Sequence, residues 1–221
     1  MSDSELQARL SLLLLFWILY FLVHSLLASD TIRTRLMRWL PLPGRRYRLF
    51  YNLVAIGLLV PPLMVLHDTP WPSLWRWQGA GRWLADSLAL LAAAGFFWTL
   101  RYYDGREFLG IGEARKDHPP LILSPLHRHV RHPWYALGLV ILWTRSMDLG
   151  MAATAVLATL YLAIGSRLEE RRLSRRLGDV YRIYMQRVPG LLPIPGRSLS
   201  REEAESLVAR SRCGTASTQG E

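Results

Sequence analysis

The sequence predicts an all-α integral membrane protein. It should have about five transmembrane helices, a short helical hairpin at helices 4 and 5, and a cytoplasmic C-terminal amphipathic helix. Three observations carry that prediction. Apolar residues make up 51% of the 221 residues and gather into long, nearly uncharged runs. A formal charge of +10 is concentrated in alternate connections between those runs. The lone cysteine, Cys213, excludes a disulfide framework or a cysteine-ligated metal site within the chain.

The first run, Ser11 to Ala28, reads "SLLLLFWILYFLVHSLLA". It is about as long as the 17 to 25 residues a spanning helix needs. Its long apolar core and the spans that follow favour a membrane helix over a cleaved signal peptide. Further runs cover Tyr47 to Leu66, Leu84 to Leu100 and Leu149 to Gly165. His24 and Asn52 lie inside the first two, where a helix-to-helix hydrogen bond is the expected role of a polar side chain.

The first connection carries Arg33, Arg35, Arg38, Arg45, Arg46 and Arg48, and the third carries Arg101, Arg106, Arg115, Lys116, Arg128 and Arg131. The second holds only Arg76 and Arg82 and is rich in Trp and Pro. By the positive-inside rule this predicts an N-terminus outside and a cytoplasmic C-terminus. Five crossings satisfy that parity. The same alternation assigns the basic charge to membrane orientation, with no nucleic-acid partner.

The fourth crossing begins at Pro133 and meets Arg145-Ser-Met-Asp148 after about a dozen residues, or about 18 Å of helix against a hydrocarbon core of about 30 Å. Either it crosses where the bilayer thins, or it pairs with Leu149 to Gly165 as a hairpin turning at Arg145 to Asp148. Both arrangements bring Arg131, His132 and Tyr135 near Arg167, Glu169 and Glu170.

Beyond the last run, Leu173, Leu177, Val180, Tyr181, Tyr184 and Val188 follow one helical face. Glu169 stands one turn ahead of Leu173, and a carboxylate heading an inward stripe demands a cationic partner. Gly178 marks a bend or close packing in this helix. The segment "RVPGLLPIPG" ends it and leads apolar residues back toward the protein or the interface. From about Ser200 the chain lacks apolar periodicity and is expected to be disordered. The domain reading is therefore a three-helix transmembrane region at 1–117, a core at 118–199 and a tail at 200–221.

Chemistry concentrates in "LHRHVRHPWYALG", Leu126 to Gly138. Pro133 is preorganised for the first turn of a helix, whose free amides attract anions, and Arg131 adds to that attraction. The competing reading makes Arg131 and His132 interfacial anchors. His127, His129 and His132 match no zinc-ligand spacing, so no metal is expected. Glu169 and Glu170 also read as a solvated pair among arginines, and Tyr181 and Tyr184 as core aromatics.

Four segments in order, "VRHPWY", "RLEERRL", "GDVYRIY" and "RVPGLLP", resemble the membrane methyltransferases that include isoprenylcysteine carboxyl methyltransferase and the phospholipid N-methyltransferases. Methanethiol S-methyltransferases share the pattern. The resemblance covers about Pro120 to Pro195. The amino-terminal "FLVHSLLASDTIRTRL" and "YRLFYN" look like NnrU-type membrane proteins and bacterial thiol methyltransferases.

This resemblance implies S-adenosylmethionine as methyl donor, in a cytoplasmic pocket open sideways to the bilayer. It places His132, Pro133, Trp134 and Tyr135 on a cofactor-contacting turn and Glu169 on a cofactor-binding glutamate. Upstream it assigns His118 and Leu121, and it puts His127 where relatives carry tyrosine. Arg131 is expected at the donor's carboxylate, and Arg167 or Glu170 at the acceptor, positioning or deprotonating it.

Two functions follow. One is a methyltransferase acting on a small or lipophilic acceptor: a thiol, a prenylcysteine carboxylate or a lipid amine. The other is a non-catalytic, NnrU-like membrane protein that assists a respiratory or metal-containing complex.

Overall fold

A computed structural model of the chain describes residues 1–39, 44–103, 105 and 121–217. Among the described residues there are eight α-helices: α1 (Asp3–Ala28), α2 (Asp30–Trp39), α3 (Gly44–Asp68), α4 (Gly79–Leu100), α5 (Pro133–Trp143), α6 (Leu149–Leu177), α7 (Asp179–Arg187) and α8 (Arg201–Ser217). A 3-10 turn, Pro125–Arg128, and two short strands, β1 (Ser73–Trp75) and β2 (Met147–Asp148), complete them. Helices α1, α3, α4 and α6 are long and apolar enough to cross a membrane. Leu15, Leu22, Leu53, Ile56, Leu90 and Leu91 lie exposed on the first three of these, as expected of surfaces that face lipid tails. The fold is the all-α membrane architecture the sequence predicts.

The described chain divides into two compact units. The first comprises residues 1–39, 44–82, 105 and 145–158, and the second 83–103, 121–144 and 159–217. In the first, α1 packs along α3 around Leu13, Trp17, Val65 and Trp71, with Leu149 and Leu157 of α6 against them. Single neutral hydrogen bonds tie the aromatic rings: Trp17 Nε1 donates to Thr154 Oγ1 at 3.0 Å, and Trp71 Nε1 to the Leu66 carbonyl at 3.1 Å.

His24 makes the helix-to-helix bond expected of it, with Tyr51 Oη 2.7 Å from Nε2. Gly150 lets α6 approach Trp71, since a Cβ there would lie 2.5 Å from the indole. The expected bare turn at Arg145 to Asp148 is more structured than that, because Met147–Asp148 pairs antiparallel with Ser73–Trp75. Asp148 then starts α6, its Oδ1 accepting from the Met151 amide at 2.8 Å.

In the second unit α5 runs antiparallel to the later part of α6. Trp143 Nε1 donates to Thr159 Oγ1 at 3.0 Å at one end, and His132 meets Glu170 at the other. The hairpin therefore forms, with a first arm of only 11 residues.

The sequence reads α6 and α7 as one helix, but they are two. Gly178 adopts φ +56° and ψ −133° between them, a conformation open in practice to glycine alone. Tyr181, Tyr184 and Val188 of α7 and its end form a core with Leu121, Leu199 and α8 residues Ala204 and Leu207.

That α8 exists corrects the expectation of disorder after Ser200. Ser200 Oγ accepts from the Glu203 amide at 3.1 Å and the Glu203 carboxylate accepts from the Ser200 amide at 2.7 Å, a capping box written in the sequence as Ser-x-x-Glu. Ala204, Leu207 and Ser211 then recur on one buried face, a short apolar pattern diluted by the charges between them.

Candidate active site

Three segments of the second unit converge on the basic turn. The turn itself starts at Ser124, which caps the 3-10 helix reciprocally with His127. The Ser124 amide and hydroxyl both lie within reach of His127 Nδ1, at 3.2 and 2.7 Å. An amide can only donate, so Nδ1 is the acceptor and the ring proton sits on Nε2, 3.3 Å from Tyr103 Oη. Burial, with the charge of His132 nearby, pushes His127 down to about 4. This imidazole is therefore neutral.

The second segment is the return from α7. Pro189 and Gly190 offer their carbonyls to the amides of Arg131 and His132 at 2.9 and 3.1 Å, and Tyr184 Oη donates to the His127 carbonyl at 2.6 Å. The three-proline segment thus leads back onto the turn itself. The Arg131 guanidinium completes the clasp, with Nη1 donating to the carbonyls of Met185 and Val188.

The third segment is the Glu169-Glu170 pair of α6. Glu170 is the buried member. Its Oε1 accepts from Arg131 Nε and Nη2, each at 2.8 Å, and from His132 Nε2 at 3.0 Å. Glu169, with its side chain 48% exposed, reaches His132 Nδ1 at 3.5 Å and accepts from Tyr135 Oη at 3.4 Å. His132 thus bridges two carboxylates. Burial works against its charge, but hydrogen bonds to Glu169 and Glu170 outweigh it and raise its pKa. Its ring stacks on Tyr135 at 5.3 Å between centroids, with the planes nearly parallel at 7°.

Beside this network lies a cavity of about 360 Å³, in the range of small-molecule sites. It is lined by Tyr103, Leu121, Ile122, Leu123, His127, Arg131, His132, Glu169, Arg172, Leu173, Arg176, Tyr181 and Tyr184. Five of the candidate site residues named from the sequence therefore meet at one cavity: Leu121, His127, Arg131, His132 and Glu169.

Others stand elsewhere. Pro133 is buried behind the turn as the first residue of α5, and Trp134 turns toward α4, its Nε1 donating to the buried Thr99 Oγ1 at 2.7 Å. Tyr135 touches the site through His132 and Glu169. Arg167 is exposed and is not among the lining residues. Glu170 is walled in by Arg131 and His132, and His118 lies outside the described residues.

Sequence reasoning missed Tyr103, Arg172 and Arg176. The last two had a readable signal, because 169, 172, 173 and 176 share one helical face. Tyr103 had none: it follows α4 and reaches the cavity through tertiary packing on Trp134, 4.7 Å between ring centroids. Burial and the nearby Glu169 carboxylate push its phenol up to about 12, so it is a neutral hydrogen-bonding group.

Comparison with known proteins bears on this arrangement. The chain is 30% identical over 180 residues to a methanethiol S-methyltransferase of Pseudomonas sp. (strain GM41(2012)), covering 77% of this chain and 68% of that protein. The chain belongs to the methanethiol S-methyltransferase family. Methanethiol S-methyltransferase 1 of Bradyrhizobium diazoefficiens is 28% identical over 205 residues, 87% of this chain and 70% of its own. The methanethiol S-methyltransferase of Crocosphaera subtropica is 26% identical across 88% of this chain and 80% of its own. No protein-family model matches, and no solved structure does. Membership in a methyltransferase family agrees with the resemblance carried by "VRHPWY", "RLEERRL", "GDVYRIY" and "RVPGLLP".

Proposed function

We propose that this protein is an integral membrane methyltransferase that moves a methyl group from S-adenosylmethionine to a small thiol, at a site facing the cytoplasm. The observation that carries the reading is the cavity. It joins one half-exposed carboxylate, Glu169, to a cationic wall and to aromatic and aliphatic surface in the volume of a small-molecule site.

That donor set suits the cofactor. Glu169 would hold its ammonium group, Tyr103 and the neutral His127 would face its flat and polar parts, and Leu121 and Leu173 its apolar ones. When bound, it supplies an electrophilic methyl group on a positive sulfur.

The remaining work falls to the chain's own residues. His132 holds Glu169 at the cavity wall, and Glu170 with Arg131 fixes His132 and the returning Pro189-Gly190 segment. Methyl transfer is an in-line displacement, so alignment and exclusion of water are the main contributions. With the donor held by Glu169, transfer would form the thioether bond as the sulfonium–methyl bond breaks, the thiol proton passing to solvent.

Among the described lining residues no group is a strong base at neutral pH: His127 is pushed down and Tyr103 up. The acceptor therefore reacts as the minor thiolate fraction already present near neutrality. Arg167 and Glu170, expected at the acceptor, are not among the described lining residues. Substrate preference is thus assigned to shape and apolar lining.

The name shared by the relatives supports a thiol over the prenylcysteine carboxylate or lipid amine. Transfer of labelled methyl from S-adenosylmethionine, in detergent micelles, to methanethiol, a prenylcysteine and phosphatidylethanolamine tests the proposal. Label is expected in the thiol alone and to increase with pH through the thiol's own pKa. Label in the lipid amine or the prenylcysteine would reject the acceptor class, and no label in any would reject the enzyme.

A further inference from the structure

Two tyrosines one turn apart on α7 look alike in the sequence and differ in the structure. Both line the cavity and both are almost wholly buried, Tyr181 at 2% and Tyr184 at 1% exposure. Tyr184 Oη is spent on the His127 carbonyl at 2.6 Å. Among the described residues the Tyr181 hydroxyl has no hydrogen-bond partner, and it is not fully enclosed, so it opens on the cavity. A buried hydroxyl left unpaired is destabilising. Its partner therefore comes from what the cavity holds.

The surroundings indicate the kind of partner. Tyr181 packs in one cluster with Leu121, Leu123 and Leu173, which line the same cavity. Glu170 and Glu169 of α6 and Arg131 of the turn act on it electrostatically, while α8 brings Ala204 and Leu207 to that cluster. Burial, and after it the Glu170 charge, pushes the phenol up, so it is a neutral group able to donate. A carboxylate or an ammonium needs a countercharge on the wall. The sulfur of a short-chain thiolate, lying against the positive sulfur of the methyl donor, asks the wall only for apolar surface and one donor.

We propose that the Tyr181 hydroxyl donates to the sulfur of the acceptor and holds it for methyl transfer. This inference rests on the reading of the cavity as the methyl-donor site and adds the acceptor's position to it. The thiol first loses its proton to solvent. The thiolate then accepts the O–H···S bond from Tyr181, and a sulfur lone pair forms the new S–C bond as the sulfonium–methyl bond breaks. Tyr181 keeps its proton throughout. The neutral thioether is a weak acceptor, so the bond fades and the product can leave.

A hydrogen bond to the anion should lower the bound thiol's pKa by about one to two units and enlarge the thiolate fraction below it. It also makes each thiolate less nucleophilic, by about half that gain on a logarithmic scale. The advantage is therefore confined to lower pH.

The test compares kcat at saturating methanethiol for the wild type and Tyr181→Phe, in detergent, as pH rises from neutrality. Affinity for S-adenosylhomocysteine and melting temperature are measured on both. The variant should be about three- to tenfold slower near neutrality, and its deficit should shrink as pH rises; ionisations common to both proteins cancel in the ratio. Its S-adenosylhomocysteine affinity should be unchanged. Its melting temperature should not fall, because no hydrogen bond within the protein is removed, whereas Tyr184→Phe should melt lower.

A deficit of equal size at every pH, or no deficit, would overturn the proposal. Loss of S-adenosylhomocysteine affinity in Tyr181→Phe would also overturn it, by assigning the hydroxyl to the methyl donor. A wild type that neither binds S-adenosylhomocysteine nor transfers a methyl group would reject the donor-site reading first, and this inference with it.

Discussion

The two units of the molecule are held together by different physics. The first buries Trp17, Trp71 and Val65 and ties its rings with hydrogen bonds between uncharged partners, Trp17 to Thr154 and His24 to Tyr51. The second gathers charge: one oxygen of Glu170 receives Arg131 twice and His132 once, in a setting where their side chains are only 6 to 11% exposed. Lipid gives no hydrophobic push between helices, so close packing and single polar contacts hold the first unit. A buried ionic cluster is tolerable only when fully satisfied, and such a cluster specifies one arrangement of the turn. The contrast teaches where substitutions should be felt.

The largest effect is expected in the charged unit. Glu170→Ala leaves Arg131 and His132 buried without their carboxylate and should cost about 3 to 5 kcal/mol, measured as thermal unfolding in detergent. A loss within experimental error would show that the cluster does not organise the turn. Next comes a packing test of the first unit. Gly150→Val places a side chain into the Trp71 indole and should cost about 1 to 3 kcal/mol, read by the same assay; a neutral result would mean that α6 does not press on Trp71.

A smaller, pH-dependent effect separates the two units further. His132 has its pKa raised above the ordinary 6.5 by Glu169 and Glu170 despite burial. Its contribution to stability is therefore complete below that ordinary value and is lost as pH rises through the raised one. The melting temperature of the wild type should fall as pH rises through that interval, and His132→Gln should flatten the profile. An unchanged slope in the variant would remove His132 from the clamp. The smallest effect belongs to Trp17→Phe, which deletes one hydrogen bond to Thr154 and should cost about 0.6 kcal/mol, plus a minor packing loss, in the same melting assay. A cost of several kcal/mol would make the first unit as polar in its energetics as the second.

Much of the fold was legible. Apolar runs located the four long helices, and the short Pro133 arm with its charged turn predicted a hairpin that brings His132 to the glutamates. Helical spacing also placed Glu169 on the face of Leu173, where it lines the cavity. What the spacing does not reveal is the opposite wall. Glu169 was expected to be the buried carboxylate in need of a cation, whereas Glu170 fills that place, because the turn and Pro189-Gly190 close over its side of α6. His127 was unreadable for a similar reason: its role depends on Ser124 behind it and Tyr103 across the cavity. The α8 face was hidden because Ala and Ser supply part of its buried positions.

The central claim is that adjacent glutamates divide the labour, Glu169 binding the donor and Glu170 building the site. Side-by-side measurement of S-adenosylhomocysteine affinity and melting temperature for Glu169→Gln and Glu170→Gln tests it most directly. Glu169→Gln should lose affinity by about ten- to a hundredfold with its melting temperature nearly unchanged, while Glu170→Gln should melt markedly lower. Wild-type affinity in Glu169→Gln, or equal destabilisation by the two substitutions, would contradict it.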